Sequence, residues 1–247
     1  MEINPLAQEL NKEIKACNET VYQMMSNFGK QVFFPKGIVS QSGEAKKKAS
    51  HFNATIGIAT ENKKAMMLDS FDEFISKNID SHKILPYAPS EGLANLRESW
   101  RSHQKKMNPS LGQSSLPVVC SGLTHALSLV GELFLDESKN ETVILPELSW
   151  GNYKLMWHIK KRANLATYPL FDDSLSHFNL SGFKSTLTKT LAKEEKAFVL
   201  FNFPQNPTGY SLSHEEVKQV EECLLEFANK GKKLVVVCDD AYWGLCY

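Results

Sequence analysis

Apolar positions change their spacing along this chain, and the change marks where helices give way to strands. Residues 5 to 26 place Leu6, Leu10, Ile14, Cys17, Val21, Met24 and Met25 three and four apart, which predicts an amphipathic helix with a long polar face. Gln31 to Lys48 mixes Gly, Pro, Ser and a lysine run and reads as loop, with Lys46, Lys47 and Lys48 a solvated face. Ala54 to Ala59 reads as a short strand containing Gly57, where close backbone approach becomes possible. A helix through Phe71, Phe74 and Ile75 follows, and the turn-rich Leu85 to Gly92 leads into another, with Leu93, Leu96 and Trp100 as its apolar positions.

From residue 116 the pattern alternates. Leu116 to Cys120, Thr142 to Leu145, Asn164 to Leu170, Phe198 to Phe203 and Leu234 to Cys238 are short apolar runs cut by Pro, Gly or Asn, as buried strands are. Between them lie helical periods: Leu127, Val130 and Phe134; then Phe183, Leu187 and Leu191; then Val217, Val220, Cys223, Leu224, Phe227 and Ala228. The last opens on a capping box, Ser213 to Glu216, and stops at Gly231. Strands alternating with helices predict a three-layer α/β/α domain: a mostly parallel sheet, right-handed crossovers and helices on both faces. A helical segment precedes it.

Composition narrows the partners. The chain has 247 residues, 42% of them hydrophobic and 23% charged, enough for one large domain or a domain with a lobe. Lys+Arg and Asp+Glu both number 28, so no basic field points to nucleic acid or an anionic membrane, and a small-molecule partner is expected. No run approaches the roughly 18 apolar residues of a membrane span, and the opening residues lack a secretory pattern. Cys17, Cys120, Cys223, Cys238 and Cys246 are odd in number and scattered, which suits reduced buried thiols in the cytoplasm rather than disulfides, zinc or another metal.

In a parallel sheet, ligands gather where strands end, and these strand ends carry chemistry. Ser121-Gly122-Leu123-Thr124-His125 turns directly into a helix whose first amides can face an anion. His125 reads as a helix-surface residue. Trp150 follows the second run, either as core packing or as a flat stacking surface. Asn206 sits between Pro204 and Pro207, in an ordinary Pro-Gly turn or as a donor to a ligand. Asp239 and Tyr242 follow the last run. Tyr87 is balanced between packing under its loop and serving a site. Together an anion cradle, an aromatic face, an amide donor, a carboxylate and a phenol match pyridoxal 5'-phosphate better than a nucleotide. A carboxylate beside the pyridine nitrogen favours its protonated form, and that form draws electrons.

At this point the sequence resembles the class I aminotransferases, the pyridoxal-phosphate enzymes of fold type I that include aspartate and aromatic aminotransferases. The resemblance runs from about Ile56 to the last residue. It is carried by Asn206-Pro207-Thr208-Gly209 and Asp239-Asp240-Ala241-Tyr242, with support from Ser121 to Leu127, Ser149 to Asn152 and Tyr87 to Gly92. It implies that the amides of Gly122, Leu123 and Thr124 hold the phosphate and that Trp150 stacks on the ring. Asn206 and Tyr242 bond the phenolic oxygen, with Asn206 also near the substrate, and Asp239 pairs with the ring nitrogen. Asp240 is then dispensable. Gly57 brings its backbone to the substrate, and Tyr87 reaches the cofactor phosphate of the second chain in a homodimer. Asn206-Pro207 is often cis in this family.

The same resemblance divides the chain into an amino-terminal arm with part of a small domain (1–84) and an incomplete cofactor-binding large domain (85–247). The family's Schiff-base lysine comes after the Asp-x-Ala-Tyr segment, and no lysine follows Asp239. Lys189, in Thr186-Leu187-Thr188-Lys189, imitates its setting but precedes Asn206. The expectation is therefore the amino-terminal portion of an aminotransferase that moves an amino group from an L-amino acid to a 2-oxo acid, inactive and poorly soluble alone. A lyase resembling aminocyclopropane-carboxylate synthase, and a non-catalytic regulator on the same scaffold, are the alternatives.

Overall fold

The computed structural model describes residues 3–25, 29–31, 33, 38–51, 55, 60–61, 64–65, 70, 74, 87–136, 139 and 141–245. The chain separates into two compact units, residues 1–119 and 120–247. The predicted strand at 54–59 and the helix through Phe71 and Ile75 lie largely outside the described residues.

In the first unit, α1 (Pro5–Cys17) and α2 (Glu19–Met24) replace the single helix expected over 5–26. Asn18 divides them: its backbone N–H closes α1 on the Ile14 carbonyl, while its side chain accepts from the Val21 amide to start α2. A short polar side chain that bonds its own backbone favours such a break over helix continuity. Ile38–Lys48 is a helix, α3, and not the expected loop. Its Ala45-Lys46-Lys47-Lys48 end is made of strong helix formers, and Glu44 sits 3.6 Å from Lys48 one turn on. A two-residue antiparallel pair, β1 (Thr60–Glu61) with β2 (Lys64–Ala65), precedes α4 (Ala94–Met107). Leu116–Cys120 is not a strand. Val118 and Val119 are 60% and 41% exposed, and the Val119 amide bonds the Glu91 carbonyl instead of a ladder partner. Strand propensity is expressed only where a neighbouring strand completes the pairing.

The second unit holds the sheet. Helix α5 (Leu123–Phe134) precedes β3 (Thr142–Pro146); α6 (Gly151–Tyr153), continued by a wider π-type turn over Lys154–Lys160, leads to β4 (Asn164–Tyr168). Then come α7 (Leu180–Leu191), β5 (Lys196–Asn202), α8 (His214–Asn229) and β6 (Lys233–Asp239). The pairings between these four strands are parallel and their order is β4-β3-β5-β6, with Ile144 opposite Val199 and Phe201 opposite Cys238.

Alternation along β3 and β5 splits the core into two sheets of side chains. Ile144, Ala197, Val199 and Phe201 face Phe183, Leu187, Leu191, Val220 and Phe227 of α7 and α8. Val143, Leu145, Phe198 and Leu200 face Leu127 of α5 and Tyr153, Met156 and Trp157. The result is the three-layer α/β/α arrangement, which period-two strands buried on both sides require. The predicted capping box is present: Ser213 accepts from the Glu216 amide at 3.3 Å, and Glu216 returns a bond to the Ser213 amide at 2.7 Å. Among the described cysteines, all free, Cys223 is buried, whereas Cys17 and Cys238 are exposed and depart from the expected buried thiols. No helix of the described residues is long and apolar enough to cross a membrane.

Candidate functional site

Strand order fixes where a site can form. The chain leaves β3 for β4 on one side and returns to β5 on the other, so the loops after β3 and β5 diverge and open a crevice at the carboxyl edge of the sheet. A cavity of about 120 Å³ there is lined by Leu123, Trp150, Tyr153, Asn202, Asn206, Asp239, Ala241 and Tyr242. It is smaller than the roughly 300 Å³ at which ligand clefts usually begin, so these residues form a floor rather than an enclosing pocket.

Asp239 ends β6 and is 2% exposed. Its Oδ2 accepts from the Tyr153 phenol, and its Oδ1 accepts from the Ala241 amide at 3.0 Å. Burial, with the bond to Asp239 behind it, pushes the Tyr153 phenol far above its ordinary pKa, so Tyr153 keeps its proton and donates. The Tyr153 ring is itself fixed, stacked on Trp157 with centroids 5.6 Å apart and met edge-on by Trp150 at 5.4 Å. No cationic side chain among the described residues pairs with Asp239. A buried carboxylate with two donors and no counter-charge is a costly arrangement that a cationic ligand group would relieve.

Asn206 follows β5. Asn202 accepts from its amide at 2.9 Å and donates to the Asp239 carbonyl at 3.0 Å, which ties the ends of β5 and β6 together. The Asn206 side chain donates to the Tyr242 hydroxyl at 3.2 Å, leaving one amide and one phenol side by side in the cavity. Both Phe203–Pro204 and Asn206–Pro207 are cis.

At the third wall, Gly122 caps α5 with φ 94° and ψ 173°, a region that side chains other than hydrogen do not enter. Apart from its chain neighbours, no atom of the described residues lies within 4 Å of the position a Cβ would occupy, so the space before the helix is open. The first-turn amides of α5 have no partner within the helix. Leu123 lines the cavity; Gly122 and Thr124 flank it without lining it. His125 is exposed and its Nδ1 accepts from the Ser121 amide at 3.2 Å, a structural cap on the same turn.

The structure therefore brings Leu123, Trp150, Asn206, Asp239 and Tyr242 to one hollow. Tyr87 belongs to the first unit and is fully exposed, not half-buried under its loop. Gly57 lies outside the described residues. Tyr153 and Asn202 were not singled out from sequence. A signal for Tyr153 exists, because Trp150, Tyr153 and Trp157 recur at the three-and-four spacing of one helical face. The donor set fits pyridoxal phosphate: an anion-binding helix start, an indole, a paired amide and phenol, and a buried carboxylate lacking a cation.

Comparison with known proteins agrees with this chemistry. The sequence model of the family described as aminotransferase class I and II matches residues 52–247. Aspartate aminotransferase of Bacillus subtilis (strain 168) is 31% identical over 164 residues, which is 65% of this chain and 38% of that protein. The crystal structure of an aminotransferase from Anaerococcus prevotii superposes with a TM-score of 0.75 at 25% identity, over 88% of this chain and 54% of that one. An aromatic-amino-acid aminotransferase from Burkholderia pseudomallei, solved covalently bound to pyridoxal phosphate, shares the fold at 23% identity. Its TM-score is 0.62, over 87% of this chain and 53% of that one. The chain spans about two fifths of the length of the curated relatives it matches.

Proposed function

Because the chain belongs to the aminotransferase class I and II family, we propose that the hollow at the sheet edge holds pyridoxal 5'-phosphate. We further propose that the whole protein transfers an amino group from an L-amino acid to a 2-oxo acid. The observation that carries this reading is Asp239: a buried carboxylate, oriented by Tyr153 and Ala241, in the same hollow as the Asn206–Tyr242 pair. When bound, the cofactor supplies a ring that withdraws electrons from the substrate's α-carbon.

The protein's own groups then have distinct tasks. Asp239 would hold a proton on the ring nitrogen, since an adjacent negative charge favours the cationic form. Tyr153 fixes the direction of that carboxylate. Trp150 would stack on the ring, and Asn206 with Tyr242 would bond its phenolic oxygen, with Asn206 also turned to the substrate. The amides of Gly122, Leu123 and Thr124 would hold the phosphate at the start of α5, where unpartnered N–H groups and the helix dipole favour an anion. Gly57 would approach the substrate. Tyr87, being fully exposed, would serve the phosphate of a second copy in a homodimer. In this reading residues 1–84 are an arm with part of a small domain, residues 85–247 belong to the cofactor domain, and the protein is cytoplasmic.

Titrating pyridoxal phosphate into the 247-residue chain, followed by tryptophan fluorescence and absorbance, tests the site. Saturable one-to-one binding is expected, and Asp239→Ala weakens it by about tenfold or more, the loss of one charge-assisted contact. In a catalytically active full-length protein the same change removes turnover by several orders of magnitude. Absence of saturable binding by the wild-type chain sinks the cofactor assignment, and equal affinity of the variant removes Asp239 from its role.

A further inference from the structure

At the crevice between β3 and β5 the two loops run to opposite faces of the sheet, and one side chain crosses between them. Gln205 is 3% exposed, and its amide is fully committed. Nε2 donates to the Leu148 carbonyl at 2.6 Å, in the loop that carries Trp150, and to the Asn206 carbonyl at 2.9 Å. Oε1 accepts from the Thr208 amide at 2.9 Å and from the Thr208 hydroxyl at 2.6 Å. Two donors and two acceptor sites exhaust what a glutamine amide offers.

The backbone of Gln205 is equally tied. Its N–H bonds the Tyr210 carbonyl at 2.8 Å, and its carbonyl accepts from Gly209 at 2.6 Å. Tyr210 in turn donates to Glu216, in the cap of α8. The Asn206 loop is thus anchored to α8 at its far end and to Asn202 at its near end. Gln205 is the member that reaches across to the other loop.

We infer that Gln205 is a positioning residue: it makes the Trp150 loop and the Asn206 loop one rigid floor, so that the aromatic face and the amide donor keep a fixed separation. The inference rests on the reading of the hollow as a cofactor site only for its functional consequence. The coupling of the two loops stands independently of it.

Buried polar networks are costly when half satisfied, so removing one member should loosen everything it joins. Hydrogen exchange by mass spectrometry on the wild-type chain, Gln205→Met and Gln205→Glu reads this directly. Gln205→Met keeps the volume and loses all four side-chain bonds. Gln205→Glu retains acceptance from Thr208 and loses donation to Leu148. Exchange in peptides spanning 147–153 and 203–210 is expected to rise together, by about tenfold or more, in Gln205→Met, with 196–202 and 214–229 unchanged. Gln205→Glu is expected to release 147–153 more than 203–210. Faster exchange confined to 203–210 in both variants overturns the coupling.

Pyridoxal phosphate titrations on the same samples add the functional arm, with affinity lowered about tenfold in both variants. Wild-type affinity in a variant whose two loops have loosened together overturns the functional consequence. No binding by the wild-type chain overturns the cofactor reading, while the exchange pattern still decides whether Gln205 joins the loops.

Discussion

Single side chains here are legible where an adjoining apolar run places them, and their partners only where these lie close in sequence. Trp150, Asn206, Asp239 and Tyr242 each follow an apolar run, so their place at the sheet edge follows from strand direction alone. Asp239 and Asp240 show how far this goes. Asp239 turns into the hollow, whereas Asp240 is exposed and lines the trough on the Val236 and Cys238 side of β6. Period two along a strand predicts that split. Tyr168 shows the limit. It reads as an ordinary strand residue, yet its hydroxyl is buried in the α7 side of the core, against Phe178 and Phe183, with no hydrogen-bond partner among the described residues. Burial pushes its pKa well above the ordinary phenol value, in accord with an unrelieved polar group. An unmatched buried hydroxyl opposes folding, so Tyr168→Phe is expected to leave stability unchanged or to raise it by about 1 kcal/mol. Urea unfolding of the two proteins measures this, and a loss greater than about 1 kcal/mol would mean that the hydroxyl has a partner. Tyr153 and Gln205 were harder to read for the same reason. The bond from Tyr153 to Asp239 spans 86 residues, and the bond from Gln205 to Leu148 spans 57. The spacing of Trp150, Tyr153 and Trp157 marks a helical face, but no local pattern gives either bond.

Elements were readable where they are buried on a consistent face and unreadable where they are not. The strands β3, β5 and β6 are short apolar runs with clear stops, and the helix α8 combines a helical period with a capping box. Helix α3 has little apolar face, so propensity alone had to reveal it, and its Gly and Ser residues masked that signal. Leu116–Cys120 failed in the opposite sense: the strand chemistry is present and the ladder is not. The cap of α8 joins elements and titrates. Glu216 accepts from the Tyr210 hydroxyl at 2.6 Å, the Phe178 amide at 2.8 Å and the Ser213 amide at 2.7 Å, with His177 Nδ1 at 3.8 Å. Burial alone pushes this carboxyl up, but the hydrogen bonds outweigh it and hold the pKa down at about 2, from an ordinary 4.5. A carboxyl depressed in the folded state contributes stability that is whole above the unfolded value and fades as pH falls toward the folded one. Melting temperature should therefore drop between pH 4.5 and about 2 through this group. In Glu216→Gln the acid limb is expected to be shallower, and neutral-pH stability lower by about 1–2 kcal/mol, since an amide cannot accept from all three donors. Parallel acid limbs in the two proteins would show that Glu216 does not carry this dependence.

At the scale of the second unit, the feature that sequence periodicity leaves open is what its outer strand touches. β6 pairs with β5 on one side and with no other strand among the described residues. Its face toward α8 is incompletely covered: Val236 is 40% exposed, and with Val217, Leu224, Leu225 and Trp243 it lines an apolar trough of about 550 Å³. Open strand edges offer unpaired N–H and C=O groups to any other chain, and a contiguous apolar face adjoining one supplies the driving force for contact. The lining is hydrocarbon and aromatic, with Glu221 and Asp240 at hand but no lysine. Basic residues are the usual device that blunts such an edge. The 247-residue chain is therefore expected to self-associate as its concentration rises, and to bind an apolar dye in proportion. Val236→Lys places a charge on the exposed face of β6, where its stem can lie along the trough and its ammonium reach water, so the fold is retained while association weakens. Sedimentation velocity across a concentration series distinguishes the cases: the wild-type chain should shift to larger species and the variant should remain closer to the monomer. A wild-type chain that stays monomeric throughout would mean that the trough and the bare edge are not sticky, and that the packing of β6 is complete without a neighbour.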